Sequence, residues 1–205
     1  MDSIIFDLDG TLWDSAVGVS RAWNGALAAY PEISTRVTAE DIKGVMGLQV
    51  EEVGRRLFPE LTPEHRAEMM EVCCESENRY LGKHGGILYP GVEGMLAQLV
   101  LRYKLFIVSN CQDGYIETFL EYHRLGHYFR DYENPGRTGL SKGENIKLVM
   151  ERNGLTAPIY VGDTEGDRKA AAYAGIPFIY ARYGFGQVTD YDYAVAEPSE
   201  LLELF

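Results

Sequence analysis

The chain has 205 residues, of which 46% are hydrophobic, and it carries a formal net charge of −12 at pH 7. This length suits one domain, or one domain with a smaller insertion, and the hydrophobic content excludes a chain that is disordered throughout. An excess of negative charge repels phosphate backbones and anionic lipid headgroups. The composition therefore argues against nucleic acids and membrane surfaces as partners.

The three cysteines, Cys73, Cys74 and Cys111, form neither a Cys-x-x-Cys pair nor a metal-binding pattern with histidine. Two of them are adjacent in sequence, which does not suit a disulfide framework. The first residues contain no basic segment followed by an apolar one, and no apolar run approaches the roughly 18 residues that span a bilayer. We therefore expect a reduced, cytoplasmic protein.

Short apolar runs have the character of strands that are buried on both faces. They lie at residues 3–7, 104–110, 159–163 and 178–181, with an edge strand expected at 193–195. Helical patterns alternate with them, at about 91–102, 113–123, 141–153 and 165–174, and a last helix is expected at 198–205. This alternation predicts a doubly wound, Rossmann-like α/β fold with a parallel sheet.

The stretch between residues 14 and 88 interrupts the alternation of strands and helices. It contains no convincing strand, and its pattern favours helices at about 15–29, 39–43, 49–57 and 63–82. A helical insertion directly after the first strand predicts two units. The α/β core would comprise residues 1–13 and 89–205, and an all-helical cap would comprise residues 14–88.

Polar side chains lie at the carboxyl ends of three of the predicted strands, where ligands bind in open α/β sheets. They are Asp7 and Asp9 at the end of the first strand, Ser109 and Asn110 at the end of the second, Asp163 and Asp167 at the end of the third, and Lys142 at the start of the helix before the third. Four carboxylates in one place need a cation, because like charges at close range are costly. Oxygen ligands without His or Cys indicate a hard ion, and Mg²⁺ is the usual choice beside a phosphate.

The order and spacing of these residues resemble those of the haloacid dehalogenase superfamily, in its phosphoglycolate phosphatase-like branch with a helical cap after the first strand. Residues 6–12, Phe-Asp-Leu-Asp-Gly-Thr-Leu, are similar to the first motif of the family, and Ser109-Asn110 to the second. Lys142 fits the third motif, and residues 162–167, Gly-Asp-Thr-Glu-Gly-Asp, fit the fourth. The resemblance covers nearly the whole chain.

The resemblance implies a Mg²⁺-dependent phosphatase that hydrolyses small phosphate monoesters through an aspartyl-phosphate intermediate, with phosphoglycolate-like compounds among its candidate substrates. It makes Asp7 the nucleophile and Asp9 the general acid and base. It assigns the metal to Asp7, the backbone carbonyl of Asp9, Asp163 and Asp167, the last as ligand or ligand support. It assigns the phosphoryl group to Ser109, the backbone N–H of Asn110 and Lys142.

One of these assignments stays open at the level of the sequence. Members of the family often carry proline after the lysine of the third motif, whereas Lys142 is followed by Gly143. The preceding loop contains Arg137, which could supply the cation instead. The specificity of the cap is expected to come from a loop, here residues 43–48.

Alternative functions within the family differ at single positions. A dehalogenase has no leaving alcohol to protonate, so Asp9 favours a phosphatase or a phosphomutase. Mutases similar to beta-phosphoglucomutase carry a histidine where alignment places Val19, which weakens this alternative; a non-catalytic, phosphate-sensing relative is the other. The expected partner is a small phosphorylated metabolite, and the expected assembly is a monomer or a weak homodimer.

Overall fold

The computed structural model describes residues 1–30 and 33–204. Its strands are β1 (Ser3–Phe6), β2 (Trp13–Asp14), β3 (Ile87–Leu88), β4 (Lys104–Val108), β5 (Phe129–Glu133), β6 (Pro158–Gly162), β7 (Phe178–Ala181) and β8 (Tyr193–Val195). Its helices are α1 (Ala16–Leu27), α2 (Ala39–Lys43), α3 (Val50–Leu57), α4 (Pro63–His84), α5 (Val92–Leu99), α6 (Tyr115–His123), α7 (Pro135–Thr138), α8 (Lys142–Asn153), α9 (Glu165–Ala174) and α10 (Leu201–Leu204).

The main sheet has six strands in the order β5-β4-β1-β6-β7-β8, and all its pairings are parallel. In β1, Ile4 and Phe6 pack into one hydrophobic cluster and Ile5 packs into the other, so both faces of the sheet are covered. This is the doubly wound α/β fold that the alternation of elements predicts. Because the strand order reverses at β1, the carboxyl ends of β1, β4 and β6 meet at the crevice where such folds bind ligands.

Strand β5 lies between residues 110 and 159, where the sequence predicts no strand. Its sequence, Phe-Arg-Asp-Tyr-Glu, is polar because β5 lies at the edge of the sheet, beside β4 alone. The Arg152 guanidinium of α8 donates hydrogen bonds to Asp131 and to Glu133 at 2.8 and 3.0 Å. The charged residues of β5 resemble those of a solvated loop in the sequence, but they are paired with Arg152 of α8.

The helical segment predicted between the first and second core strands is present as α1 to α4. The chain enters and leaves it through β2 and β3, which pair antiparallel, with Trp13 opposite Leu88. Pro63 begins α4 at a position where a missing N–H costs nothing, and the Thr62 side chain accepts a hydrogen bond from the His65 N–H. The start of α4 therefore follows from capping residues that are visible in the sequence.

The carboxyl-terminal part of the chain follows the prediction in outline. The expected edge strand is β8, and the expected last helix is a 3₁₀ turn at Pro198–Glu200 followed by α10, while Phe205 lies outside the described residues. Among the residues that the structure describes, we find no helix whose length and apolar character would let it cross a membrane.

Candidate active site

Asp7 lies immediately after the central strand β1. Its N–H donates a hydrogen bond to the Val161 carbonyl at 2.8 Å, so the pairing with β6 continues to this residue. Its side chain is buried, and Lys142 Nζ donates a hydrogen bond to Asp7 Oδ1 at 2.8 Å. Burial and the nearby Asp167 carboxylate raise the pKa of Asp7 to about 6, although Lys142 opposes the shift.

Asp9 has a different environment from Asp7, although it lies only two residues further along the chain. Its Oδ1 accepts hydrogen bonds from the Ser15 hydroxyl at 2.5 Å and from the Tyr115 hydroxyl at 2.9 Å. Burial raises the pKa of Asp9 to about 7, although these two hydrogen bonds oppose the shift. A carboxyl group with such a pKa can both donate and accept a proton near neutral pH.

Three buried carboxylates converge beside Asp7. Asp7, Asp163 and Asp167 each offer one oxygen, and these three oxygens lie within 4.8 Å of one another. Oδ2 of Asp163 accepts a hydrogen bond from the Phe185 N–H at 2.7 Å, while its buried Oδ1 has no hydrogen-bond partner. Burial and the charges of the two other carboxylates hold the pKa of Asp163 well above its usual range. An unpartnered oxygen within an all-oxygen cluster fits a hard divalent cation.

Glycines at two positions allow the backbone to approach Asp163 closely. Gly10 has a φ of +81°, and a Cβ there would lie 2.2 Å from Asp163 Oδ2. A Cβ at Gly184 would lie 2.2 Å from Asp163 Cβ. The loop that follows β7 thus packs directly on the carboxylate cluster, and its Tyr-Gly-Phe-Gly sequence at 183–186 is the signal by which it can be found.

Both carboxylate oxygens of Asp167 accept hydrogen bonds from other residues of the protein. Its Oδ2 accepts hydrogen bonds from the Thr164 hydroxyl at 2.6 Å and the Thr164 N–H at 2.9 Å, in a capping box at the start of α9. Its Oδ1 accepts a hydrogen bond from Lys142 Nζ at 2.6 Å. Asp167 therefore holds both the loop that carries Asp163 and the ammonium group beside Asp7.

The structure distinguishes between the two candidate cations, Lys142 and Arg137. Lys142 is buried between Asp7 and Asp167, whose charges hold its pKa well above the usual range even though burial alone would lower it. The Arg137 side chain is 38% exposed, with Nε 3.5 Å from Glu133 and Nη1 3.8 Å from Glu117. Lys142 thus contacts the carboxylate cluster, and Arg137 forms ion pairs near the edge strand.

Ser109 and Asn110 follow β4 and line a cavity of about 60 Å³ together with Asp7 and Asp9. The Asn110 side-chain amide donates a hydrogen bond to the Gly47 carbonyl at 2.8 Å. The loop at residues 43–48, which is predicted to supply specificity, therefore reaches the cavity, and its residues 45–48 line it. Lys43 is not among the residues that line the cavity; its Nζ lies 3.6 Å from Asp14, 3.5 Å from Glu40 and 5.9 Å from the centre of the Phe185 ring.

Three polar side chains of the site are not predicted from the sequence, namely Ser15, Tyr115 and Glu77. Ser15 and Tyr115 both bind Asp9, and the buried carboxyl group of Glu77, which lines the cavity, accepts a hydrogen bond from the Trp23 indole N–H at 2.6 Å. Ser15 directly precedes α1, Tyr115 begins α6 and Glu77 lies on α4, and in the sequence each is only an ordinary polar position. Their roles depend on which helix faces the sheet edge, and no local sequence motif predicts that arrangement.

A family model described as haloacid dehalogenase-like hydrolase matches residues 4–181. This chain belongs to that family. Its resemblance to this family, first seen in four short motifs, thus extends over most of the chain, and the family makes it a hydrolase.

Relatives of known sequence and structure agree with this assignment. The chain is 31% identical to a phosphoglycolate phosphatase of Aliivibrio fischeri, with 89% of this chain and 84% of the relative covered. It is 31% identical to a phosphoglycolate phosphatase of Vibrio cholerae, with 95% and 89% covered. A haloacid dehalogenase-like hydrolase from Streptococcus pneumoniae has the same fold, with a TM-score of 0.87 at 24% identity over 100% of this chain and 98% of that one.

Proposed function

We propose that the chain is a Mg²⁺-dependent phosphoric monoester hydrolase that acts on small phosphorylated metabolites through an aspartyl-phosphate intermediate. The observation that carries the proposal is the buried cluster of Asp7, Asp163 and Asp167 beside Lys142 Nζ. Such a cluster combines a nucleophile, a site for a hard cation and a fixed positive charge, which are the requirements of phosphoryl transfer. The names of the relatives make 2-phosphoglycolate the first substrate to assay.

The chemistry can be assigned to side chains of this chain. A carboxylate oxygen of Asp7 attacks phosphorus and forms a P–O bond while the bond from phosphorus to the alcohol oxygen breaks. Asp9 gives its proton to that leaving oxygen and later takes a proton from the water that attacks the aspartyl phosphate. Ser109 and Lys142 bind the phosphoryl oxygens. Asp7, Asp163 and the Asp9 carbonyl would hold Mg²⁺, with Asp167 as a further ligand or as support for the ligands, and the ion would supply further positive charge when bound.

Residues 14–88 are proposed to act as a cap over this site. Support comes from β2 and β3, which bring both ends of the segment together, and from the Asn110 hydrogen bond to the Gly47 carbonyl. A segment that contacts the core around the cavity, here also through the hydrogen bond from Gln112 to Glu77, can exclude water from the cavity when it is closed. The expected monomer or weak homodimer, and the expected cytoplasmic location, stay predictions.

The geometry favours a hydrolase over the sugar phosphomutase alternative. Val19, which stands where such mutases carry histidine, lines the cavity with an apolar side chain. It cannot relay a proton to or from Asp9. The polar neighbours of Asp9 are instead the hydroxyls of Ser15 and Tyr115, which hold the carboxyl group in place.

Release of phosphate from para-nitrophenyl phosphate tests the proposed function. The purified chain should hydrolyse this ester with Mg²⁺ and should lose the activity when EDTA removes the metal, and a panel of phosphorylated metabolites would then rank the natural alcohols. Binding of phosphate esters without any turnover would support the non-catalytic, phosphate-sensing alternative instead.

The metal assignment predicts unequal effects at the two aspartates of the β6–α9 loop. Asp163→Asn should weaken Mg²⁺ binding most, because it removes a charged ligand whose oxygen has no other partner. Asp167→Asn should weaken binding by about 10-fold, as expected for a residue that positions ligands. Isothermal titration calorimetry measures both affinities, and Asp190→Asn, at an exposed position, is the matched control. Unchanged affinity in Asp163→Asn would exclude it as a ligand.

The contacts of Lys142 predict a much larger effect on catalysis than those of Arg137. Lys142→Met should lower kcat for para-nitrophenyl phosphate by about 10²-fold or more, because it removes a fixed charge from the phosphoryl site. Arg137→Met removes the same charge from a half-exposed ion pair and should change kcat by about twofold at most. Circular dichroism of both variants checks that the fold is intact. Equal losses would place the third-motif cation elsewhere.

A further inference from the structure

Residues of the helical segment form one wall of the 60 Å³ cavity, and the one charged side chain that they contribute among the described residues is acidic. This wall consists mostly of apolar side chains, among them Val19, Ile42 and Met46, and its polar groups are Glu77 and the Trp23 indole. Among the described residues that line this cavity, none is lysine or arginine. Lys142 is nearby, but it is committed to Asp7 and Asp167. The space available to the alcohol part of a phosphate ester therefore offers no positive charge.

Glu77 is held rigidly in this wall. Its side chain is buried on α4, with Trp23 Nε1 donating to Oε2 at 2.6 Å and Gln112 Nε2 donating to Oε1 at 3.3 Å. Burial raises the pKa of Glu77 to about 8, so the side chain is a carboxylate above that pH, and a bound ammonium group favours the charged form at lower pH. Because each carboxylate oxygen has two lone pairs, both oxygens can accept one more hydrogen bond from a ligand.

A second, larger cavity of about 680 Å³ adjoins the first, and both are lined by Met70, Cys74 and Gln112. Its charged lining residues are mainly acidic: Glu51, Glu71, Glu75 and Asp113, with Arg66 as the single base among the described residues. The Arg66 guanidinium donates to the carbonyls of Phe58 and Leu61 at 3.1 and 2.7 Å, so it is already engaged. The charged residues that line the larger cavity are thus mainly acidic, like Glu77 in the wall of the smaller one.

We propose that this enzyme selects phosphate monoesters whose alcohol carries a hydroxyl or ammonium group and discriminates against those that carry a carboxylate, with Glu77 as the residue that determines this specificity. The inference rests on the proposed phosphatase function and names its substrate class. A hydroxyl or ammonium group next to the phosphorylated carbon donates a hydrogen bond to Glu77, and an ammonium group also gains from the negative charges around it.

A substrate carboxylate meets the opposite situation. It would be taken out of water beside Glu77 and Asp9, while Lys43 and Lys142, the lysines near the site, are already paired with other carboxylates. Burial of an unpaired charge is costly. The chain should therefore differ in substrate preference from the relatives whose names specify phosphoglycolate, although it is 31% identical to two of them.

Four two-carbon phosphates that differ only at the second carbon provide the test: 2-aminoethyl phosphate, 2-hydroxyethyl phosphate, ethyl phosphate and 2-phosphoglycolate. Above about pH 8, where Glu77 is charged, the wild-type chain should hydrolyse the first two with a kcat/KM at least about 10-fold above that for 2-phosphoglycolate, which corresponds to about 1.4 kcal/mol. This ranking needs no variant and so does not depend on whether a mutant folds. A preference for 2-phosphoglycolate would overturn the proposal.

Glu77→Gln then tests the residue itself, with Glu68→Gln as the matched control, because Glu68 is an exposed position of the same helix. The ratio of kcat/KM for 2-aminoethyl phosphate over 2-phosphoglycolate should fall at least about 10-fold in Glu77→Gln, mainly through KM, since an amide can donate to a carboxylate. It should stay within about twofold in Glu68→Gln. Equal ratios in both variants would remove Glu77 from specificity.

Hydrolysis of para-nitrophenyl phosphate separates failure of this inference from failure of the proposed function. Turnover of that ester together with a preference for 2-phosphoglycolate would refute the substrate class alone. Absence of turnover with para-nitrophenyl phosphate and all four two-carbon phosphates, in the presence of Mg²⁺, would refute the phosphatase function and the inference with it.

Discussion

Asp7→Asn is expected to reduce phosphatase turnover to the uncatalysed background, a loss of more than about 10⁴-fold. The reason is that Asp7 must form a bond to phosphorus, and an amide oxygen is a poor nucleophile. The substitution preserves size, and the amide oxygen can still accept the hydrogen bond that Lys142 Nζ donates at 2.8 Å. We therefore expect the loss to be one of chemistry, with the fold retained.

Steady-state assays with para-nitrophenyl phosphate measure the effect of Asp7→Asn, and circular dichroism verifies its fold. Acid quenching during turnover should trap a phosphorylated protein in the wild type and none in Asp7→Asn. The substitution Asp190→Asn, at an exposed aspartate, controls for the loss of one charge. Appreciable turnover in Asp7→Asn would show that another group attacks phosphorus.

Asp9→Asn is expected to have the second-largest effect, and that effect should depend on the leaving group. General acid–base assistance contributes about 10²–10⁴-fold, so turnover of an alkyl phosphate should fall by an amount in that range. The loss should be much smaller for para-nitrophenyl phosphate, because a nitrophenolate oxygen leaves without a proton. The amide oxygen can still accept the hydrogen bonds from Ser15 and Tyr115, so the side chain should stay in place.

The pH profile provides an independent measure of the role of Asp9. Burial raises the pKa of its carboxyl group to about 7, and a general acid must carry its proton at the start of the reaction. The rate with an alkyl phosphate should therefore fall as the pH rises through about 7, and this decline should be absent in Asp9→Asn. Equal losses with both classes of substrate, or a decline that survives the substitution, would exclude Asp9 as the acid.

Most of the fold could be predicted because its signals are local. The apolar runs of β1, β4, β6 and β7 are buried on both faces, and such runs are typical of the inner strands of a parallel sheet. Edge strand β5 could not be predicted, since its charged residues are satisfied by Arg152, a residue that packs on the sheet only after folding.

The sequence by itself determined which carboxylates could share a site. Asp7 and Asp163 follow parallel strands, and the carboxyl ends of parallel strands meet at one edge whatever the details of packing. That inference needs only the direction of the strands, which the alternation of strands and helices implies.

The tertiary structure alone decided which other side chains reach that edge. Lys142 contacts Asp7, whereas Arg137, only five residues earlier, pairs with Glu133 and Glu117 instead. Glu77 looks like any polar position of a long helix, yet it is buried against Trp23 in the wall of the cavity. Such contacts join residues that are far apart in the chain, and they depend on how each helix is rotated when it packs. No local pattern of residue types carries that information.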